Sequence, residues 1–273
     1  MKKIFSLMVL LLASVHFISA DNYFDDKALD NPVPHKRSYN QEEFTLKKVV
    51  RNVNGVVLTF EYYNPWRAAG WAKRFPPATA LKDPMTGKTY PLIYAEGIPK
   101  EPYEYVFPQD GEQRLTATLV YAPVPSDVKT VNTDFGFYDI DISGLPEENN
   151  GRMIRRWFPA DLKAETSNLR IEAISDDGEN IYIWFKYTTP DGYGSNKPCL
   201  DKDTHILDPK TGKKYLPTWS AGLPVAPEYL SMFGNTPVGF AISFQSPSKD
   251  GVKTFDFIET PTSSWNIKGI SLD

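Results

Sequence analysis

The chain copies its own pattern at an offset of 125 positions. Val-Val-Leu-Thr-Phe-Glu-Tyr-Tyr-Asn-Pro, from Val56 to Pro65, returns as Ile-Tyr-Ile-Trp-Phe-Lys-Tyr-Thr-Thr-Pro, from Ile181 to Pro190. Asp83-Pro84-Met85-Thr86-Gly87-Lys88 returns as Asp208-Pro209-Lys210-Thr211-Gly212-Lys213, and Gly97-Ile98-Pro99 as Gly222-Leu223-Pro224. No insertion or deletion separates these blocks. A fixed period over this length predicts two copies of one domain. What the copies share is turn chemistry and apolar pattern, with no catalytic group among the shared residues.

The shared segments read as strands. Val56, Leu58, Phe60 and Tyr62 alternate with Val57, Thr59, Glu61 and Tyr63, the period of two that marks a strand. Comparing the copies selects the inward face. Ile181, Ile183, Phe185 and Tyr187 keep the character of the first set, whereas Tyr182, Trp184, Lys186 and Thr188 do not keep that of the second. Close packing constrains size and polarity, and solvent does not. The first set is therefore expected in the core. Trp184, on the opposite face, is expected to be covered by the other copy.

Asp-Pro-x-Thr-Gly-Lys is expected to be a tight turn between strands. Proline presets φ, the aspartate bonds the backbone ahead of it, and glycine takes positive φ. Its Thr-Gly-Lys could suggest a phosphate loop, but the first glycine and the spacing of that motif are missing. With 23 prolines and 14% aromatic residues, the composition also favours short strands and ordered loops over a helical bundle.

The expected architecture is all-β: two tandem immunoglobulin-like β-sandwich domains related by an internal repeat, at 43–145 and 169–273. Each copy offers about seven short strands in roughly 100 residues, as such a sandwich requires. A Greek-key barrel is the alternative. Residues 1–20 have the form of a secretory signal peptide: Lys2 and Lys3, an apolar run from Ile4 to Leu12, and a small residue, Ala20, before the expected cut. Residues 21–42 read as an extended leader and 146–168 as a linker. Within the linker, Pro159 to Ala164 could hold a helical turn or two, and Trp157 and Phe158 are expected to pack at the junction.

The strand ending in x-Phe-x-Tyr-x-x-Pro, the Asp-Pro-x-Thr-Gly-Lys-x-Tyr turn and the closing Trp265-x-Ile267-x-Gly269-Ile270-x-Leu272 strand resemble immunoglobulin-like domains of secreted bacterial proteins of unknown function. The resemblance covers both copies and rests on structural motifs. It implies an extracytoplasmic sandwich and carries over no active-site residue.

Loss of residues 1–20 would take the formal charge from −4 to −6. That balance speaks against a nucleic acid or an anionic membrane surface as partner. No cysteine stands immediately after the expected cut, where Asp21 is found, so the exported protein is not expected to be a lipoprotein. It is expected in the periplasm, outside the cell or on its surface, with no membrane insertion after cleavage. The single Cys199 cannot form an internal disulfide.

Chemistry is scarce in the pattern. Two histidines follow the signal segment, His35 and His205. They are too few for a His-based zinc site or a well-supported nucleophile–base pair, so a packed thiol and a surface histidine are favoured over a Cys199–His205 dyad. No cofactor or metal is expected. A calcium loop around Asp191 to Asp203 does not fit EF-hand spacing and reads as a solvated polar loop.

The copies disagree most between positions 66–78 and 191–203. There the first copy carries Trp66, Arg67, Trp71, Lys73, Arg74 and Phe75, and the second is polar. Recognition commonly resides on such loops. The candidate binding residues are Trp66, Arg67, Trp71, Arg74 and Phe75, unless the tryptophans fold back as a cap. The expected function is a secreted non-enzymatic binding or adhesion module for a glycan or an envelope or surface protein. The alternatives are an extracellular polymer hydrolase with a carboxylate pair, and a structural spacer or assembly subunit.

Overall fold

A computed structural model describes residues 36–37, 44–52, 55–63, 72–101, 105–106, 114–145, 148–149, 152–158, 168–190, 196–260 and 263–272. Residues 1–20, where a signal peptide is expected, and nearly all of 21–42 lie outside the described residues. So do Trp66, Arg67, Trp71 and positions 191–195.

The N-terminal half contains β1 (Lys36–Arg37), β2 (Phe44–Asn52), β3 (Gly55–Tyr63), β4 (Ala72–Lys73), β5 (Ala80–Lys82) and β6 (Thr89–Glu96). It continues with β7 (Tyr105–Val106), β8 (Arg114–Tyr121), β9 (Thr130–Thr133), β10 (Phe137–Tyr138) and β11 (Ile140–Asp141). Two short strands, β12 (Glu148–Asn149) and β13 (Arg152–Met153), pair with each other before β14 (Arg155–Trp157). The C-terminal half then holds β15 (Leu169–Asp176), β16 (Asn180–Thr188), β17 (His205–Leu207), β18 (Lys214–Tyr215), β19 (Pro217–Ala221), β20 (Pro237–Gln245), β21 (Thr254–Ile258) and β22 (Ile267–Ser271). Among the described residues the one helical turn is Pro247–Asp250. The fold is all-β and antiparallel.

In the C-terminal half two sheets, β14-β15-β16-β20-β19 and β18-β17-β21-β22, enclose one core. Ile183, Phe185, Phe240 and Ile242 from the first meet Ile206, Phe255 and Phe257 from the second. The N-terminal half is built on a seven-stranded sheet, β11-β9-β5-β6-β8-β3-β2, and also holds the two-stranded sheets β1-β10 and β4-β7. Its β6 pairs with β5 through Tyr90 and with β8 through Tyr94 to Glu96, so one strand serves both ends of the sheet. In the C-terminal half β18 and β19 divide that task between two sheets.

The face chosen by comparing the copies is the buried one: Val56, Leu58, Phe60, Tyr62, Ile181, Ile183 and Phe185 are fully enclosed and Tyr187 nearly so. The opposite face is not solvent, however. Val57, Tyr182 and Trp184 are buried as well. On β16, Tyr182, Trp184 and Lys186 share that face, and the Lys186 ammonium reaches the Thr89 hydroxyl of β6 at 3.5 Å. Their neighbours on β20 are Ser243, Ala241 and Gly239. At Gly239 a Cβ would lie 2.7 Å from Pro91 Cβ, so β6 and β20 cross where only glycine leaves room. The two halves thus pack outer face on outer face.

Both Asp-Pro turns form as expected. Asp83 accepts from Met85 N at 2.8 Å and from the Thr86 hydroxyl at 2.5 Å. Asp208 accepts from Lys210 N at 2.9 Å and from the Thr211 hydroxyl at 2.6 Å. Gly87 and Gly212 take φ of 75° and 73°. The threonine bonds are the main reason both carboxyls titrate below the ordinary 3.8. A depressed folded pKa contributes stability that is present above the ordinary value and lost as pH falls through the folded one. Asp83→Ala combined with Asp208→Ala is expected to lower the melting temperature at pH 7. That deficit should close as pH drops below 3.8, which thermal melts across pH 2–7 would check.

Part of the 146–168 stretch is built into the sheet, and both of its aromatic rings are packed. Arg155–Trp157 is an edge strand on β15, and Trp157 packs against the C-terminal core. The Phe158 ring lies under the Lys88 ammonium, 5.9 Å from its centroid. The stretch 159–167, where a helical turn could fit, lies outside the described residues.

Candidate functional site

Of the five residues singled out in the loop, Arg74 and Phe75 fall among the described ones. The Arg74 guanidinium is exposed and donates to Glu101 at 2.8 Å. An exposed pair of this kind contributes little to stability, about 0–1 kcal/mol. Phe75 is buried, 5.5 Å from the Phe135 ring and 6.1 Å from Phe44, and it works as packing. Lys73 lies over this cluster, 5.0 Å from the Tyr62 centroid and 5.4 Å from that of Phe44.

Next to Arg74 the two halves enclose a groove of about 310 Å³, lined by Pro77 and Glu101 from one side and Leu230, Ser231, Met232, Phe233 and Thr236 from the other. The loop carrying Phe233 is tied down on both flanks. Asn196 and Met232 exchange backbone hydrogen bonds of 2.7 and 2.9 Å. The Thr189 hydroxyl donates to Phe233 O at 2.6 Å and accepts from Thr236 N at 2.9 Å. Asn235 adopts a left-handed φ of 56°, and its N–H bonds Thr189 O. The backbone is held, and the Phe233 ring is left 82% exposed. A large aromatic displayed on a fixed loop beside a groove can serve as an anchor for a partner. Phe233 could have been suspected from sequence as a phenylalanine in a Ser-Met-Phe-Gly-Asn turn, where no core pattern requires one.

A second cleft, of about 260 Å³ and open to solvent, lies at one end of the C-terminal half. Tyr187, Asn196, Lys197, Pro198, Cys199, Glu259, Ser263, Ser264 and Trp265 line it. Burial, with Glu259 and Asp201 nearby, raises the Cys199 thiol pKa above its ordinary value. That is the wrong direction for a thiolate nucleophile. His205, expected at the surface, is instead buried on β17, with Nδ1 2.7 Å from Asp203 O.

Each of the two clefts holds one carboxylate, Glu101 in the groove and Glu259 in the open cleft. Among the described residues no three His, Cys, Asp or Glu side chains gather where they could hold a metal ion. Among the described residues, too, no helix is long and apolar enough to cross a membrane. Tyr94 and Trp219, aromatic in both copies, meet edge to face at 6.2 Å across the seam between the halves.

Comparison with protein-family models, curated proteins and solved structures finds no match to this chain.

Proposed function

We propose that the chain is an exported, non-enzymatic binding module, made of two immunoglobulin-like sandwich copies, that recognises a glycan or an envelope protein beside the seam between them. Phe233 carries the reading: a mostly exposed ring on a backbone pinned at both flanks, across the groove from Pro77 and Glu101. A rigid aromatic gives contact area at low ordering cost. Arg74, exposed beside Glu101, adds a positive charge at the groove, and Trp66, Arg67 and Trp71 precede it by eight, seven and three positions in the sequence. Among the described residues the groove beside Phe233 is lined by one carboxylate, Glu101, which favours binding there over acid-pair hydrolysis, which needs two.

The tandem-copy reading is supported by strand order. Read outward from β2, the N-terminal order is β3, β8, β6, β5, β9, β11. Outward from β15 it is β16, β20, β19, then β18, β17, β21, β22. Irregularities recur too: a bulge at Leu46/Lys48 and another at Ile171/Ala173, then a shift at Leu92/Tyr94 and another at Pro217/Trp219. Each pair is separated by the sequence offset.

The test is a screen of the whole protein on a panel of glycans and envelope proteins, run beside Trp66→Ala with Trp71→Ala and beside Phe233→Ala. Wild type is expected to retain at least one partner, and each variant to bind it at least about tenfold more weakly. A large stability loss in the tryptophan variant, with no partner retained by any form, would sink the proposal and leave those residues as a cap.

A further inference from the structure

The two copies differ in what covers one tyrosine. Tyr62 and Tyr187 are each the eighth residue of a nine-residue strand. Over Tyr62 the chain places its own cation, the Lys73 ammonium at 5.0 Å from the ring centroid. The residue 125 positions beyond Lys73 is Pro198, which has no charge to offer. Tyr187 faces the open cleft of about 260 Å³.

The walls of that cleft suit a cation. Trp265 lies 4.7 Å from Tyr187 and stacks on Phe240 at 5.9 Å, which fixes its ring while leaving it partly exposed. Tryptophan is the best aromatic partner for an ammonium group. Glu259 accepts from Asp201 N at 3.2 Å, which holds its carboxylate at the wall. Among the described residues the charged groups around the cleft are Glu259, Asp201 and Lys197. The Lys197 ammonium is drawn aside over the Tyr229 ring, at 4.5 Å. Burial is the larger cause of the raised Cys199 pKa, and the added upward pull of Glu259 and Asp201 fits a negative potential inside.

We propose that the cleft lined by Tyr187, Trp265 and Glu259 binds an alkylammonium group, seated against the two aromatic rings and ion-paired with Glu259, in the place that Lys73 fills in the other copy. The group could belong to a free amine or to the lysine side chain of a peptide. A protonated amine on a chain of a few carbons fits the volume and leaves Ser263 and Ser264 at the rim for its remaining hydrogens.

Cys199 lines the cleft and is the single thiol of the chain, so its alkylation reports occupancy. The rate of iodoacetamide modification would be followed by mass spectrometry against added n-butylammonium, with sodium at equal ionic strength as control. Butan-1-ol, methyl glucoside and an acetylated lysyl peptide amide are run in parallel. n-Butylammonium is expected to slow alkylation saturably, and Glu259→Gln to weaken this protection about tenfold. The glutamine keeps an oxygen for Asp201 N, so the fold is retained, and an unchanged melting temperature checks that. Protection by the lysyl peptide at lower concentration assigns the ammonium to a protein partner, and stronger protection by the free amine assigns it to a small molecule. Equal protection by butan-1-ol or methyl glucoside, protection unchanged in Glu259→Gln, or none by any ammonium probe overturns the proposal.

Discussion

Raising the pH from 7 to 10 is expected to stabilise the wild-type protein relative to Lys100→Met, by up to about 4 kcal/mol. Lys100 is buried at the seam, and its ammonium donates to Leu92 O at 3.0 Å, Ile93 O at 3.3 Å and Gly239 O at 3.1 Å. Three donors meet three acceptors, two from β6 and one from β20. Removal from water nevertheless pushes the pKa from 10.5 down to about 7. With the folded pKa below the unfolded one, the unfolded chain holds the proton more readily between those values. Stability therefore rises with pH across that window. Below pH 7 the lysine is charged in both states and contributes no slope. Methionine cannot titrate, so the difference between the two urea-unfolding free energies isolates Lys100. It should be flat below pH 7 and climb above it. A difference that stays level to pH 10 would show that burial does not govern this amine.

The second large effect is at Trp184. Trp184→Ala is expected to cost about 3–5 kcal/mol, the range for deleting a large buried aromatic. The ring is 1% exposed and stacks on Tyr182 at 5.8 Å. Its strand neighbours across the sheet are Ala173 and Ala241, too small to close the gap left behind. Thr59→Ala, at the matching position of the first copy, is expected to cost under about 1 kcal/mol. Urea unfolding of both variants checks this, and a Trp184→Ala loss near that of Thr59→Ala would mean that the Trp184 ring is not held by close packing on this face of β16.

Much of this was legible in the residues. Alternation gave the strands, and comparing positions 125 apart picked out the fully enclosed face of β3 and β16, because packing preserves side-chain character, but it left Val57 and Tyr182 on a face that is buried too. Asp83 and Asp208 could be read as turn residues from Pro, Thr and Gly alone. Trp184 signalled a covered outer face by being an apolar ring where the other copy has threonine. What covers it was not legible. Alternation reports that a face is buried but not by what, and the crossing of β6 on β20 depends on Gly239 meeting Pro91, 148 positions away. Lys100 looked like any charged residue after Gly-Ile-Pro, since nothing local marks a lysine whose acceptors include a carbonyl from the other half. The open cleft is assembled from Tyr187, Cys199, Glu259 and Trp265, which come together through strand pairing rather than through any motif.

The measurement that bears most directly on the central claim is an equilibrium titration of wild type and Phe233→Ala with whichever panel partner the protein retains, alongside their melting curves. With its ring 82% exposed, Phe233 contributes little to the fold. The prediction is an unchanged melting temperature with an affinity at least about tenfold weaker. Equal affinities would place recognition away from the seam groove and contradict the account.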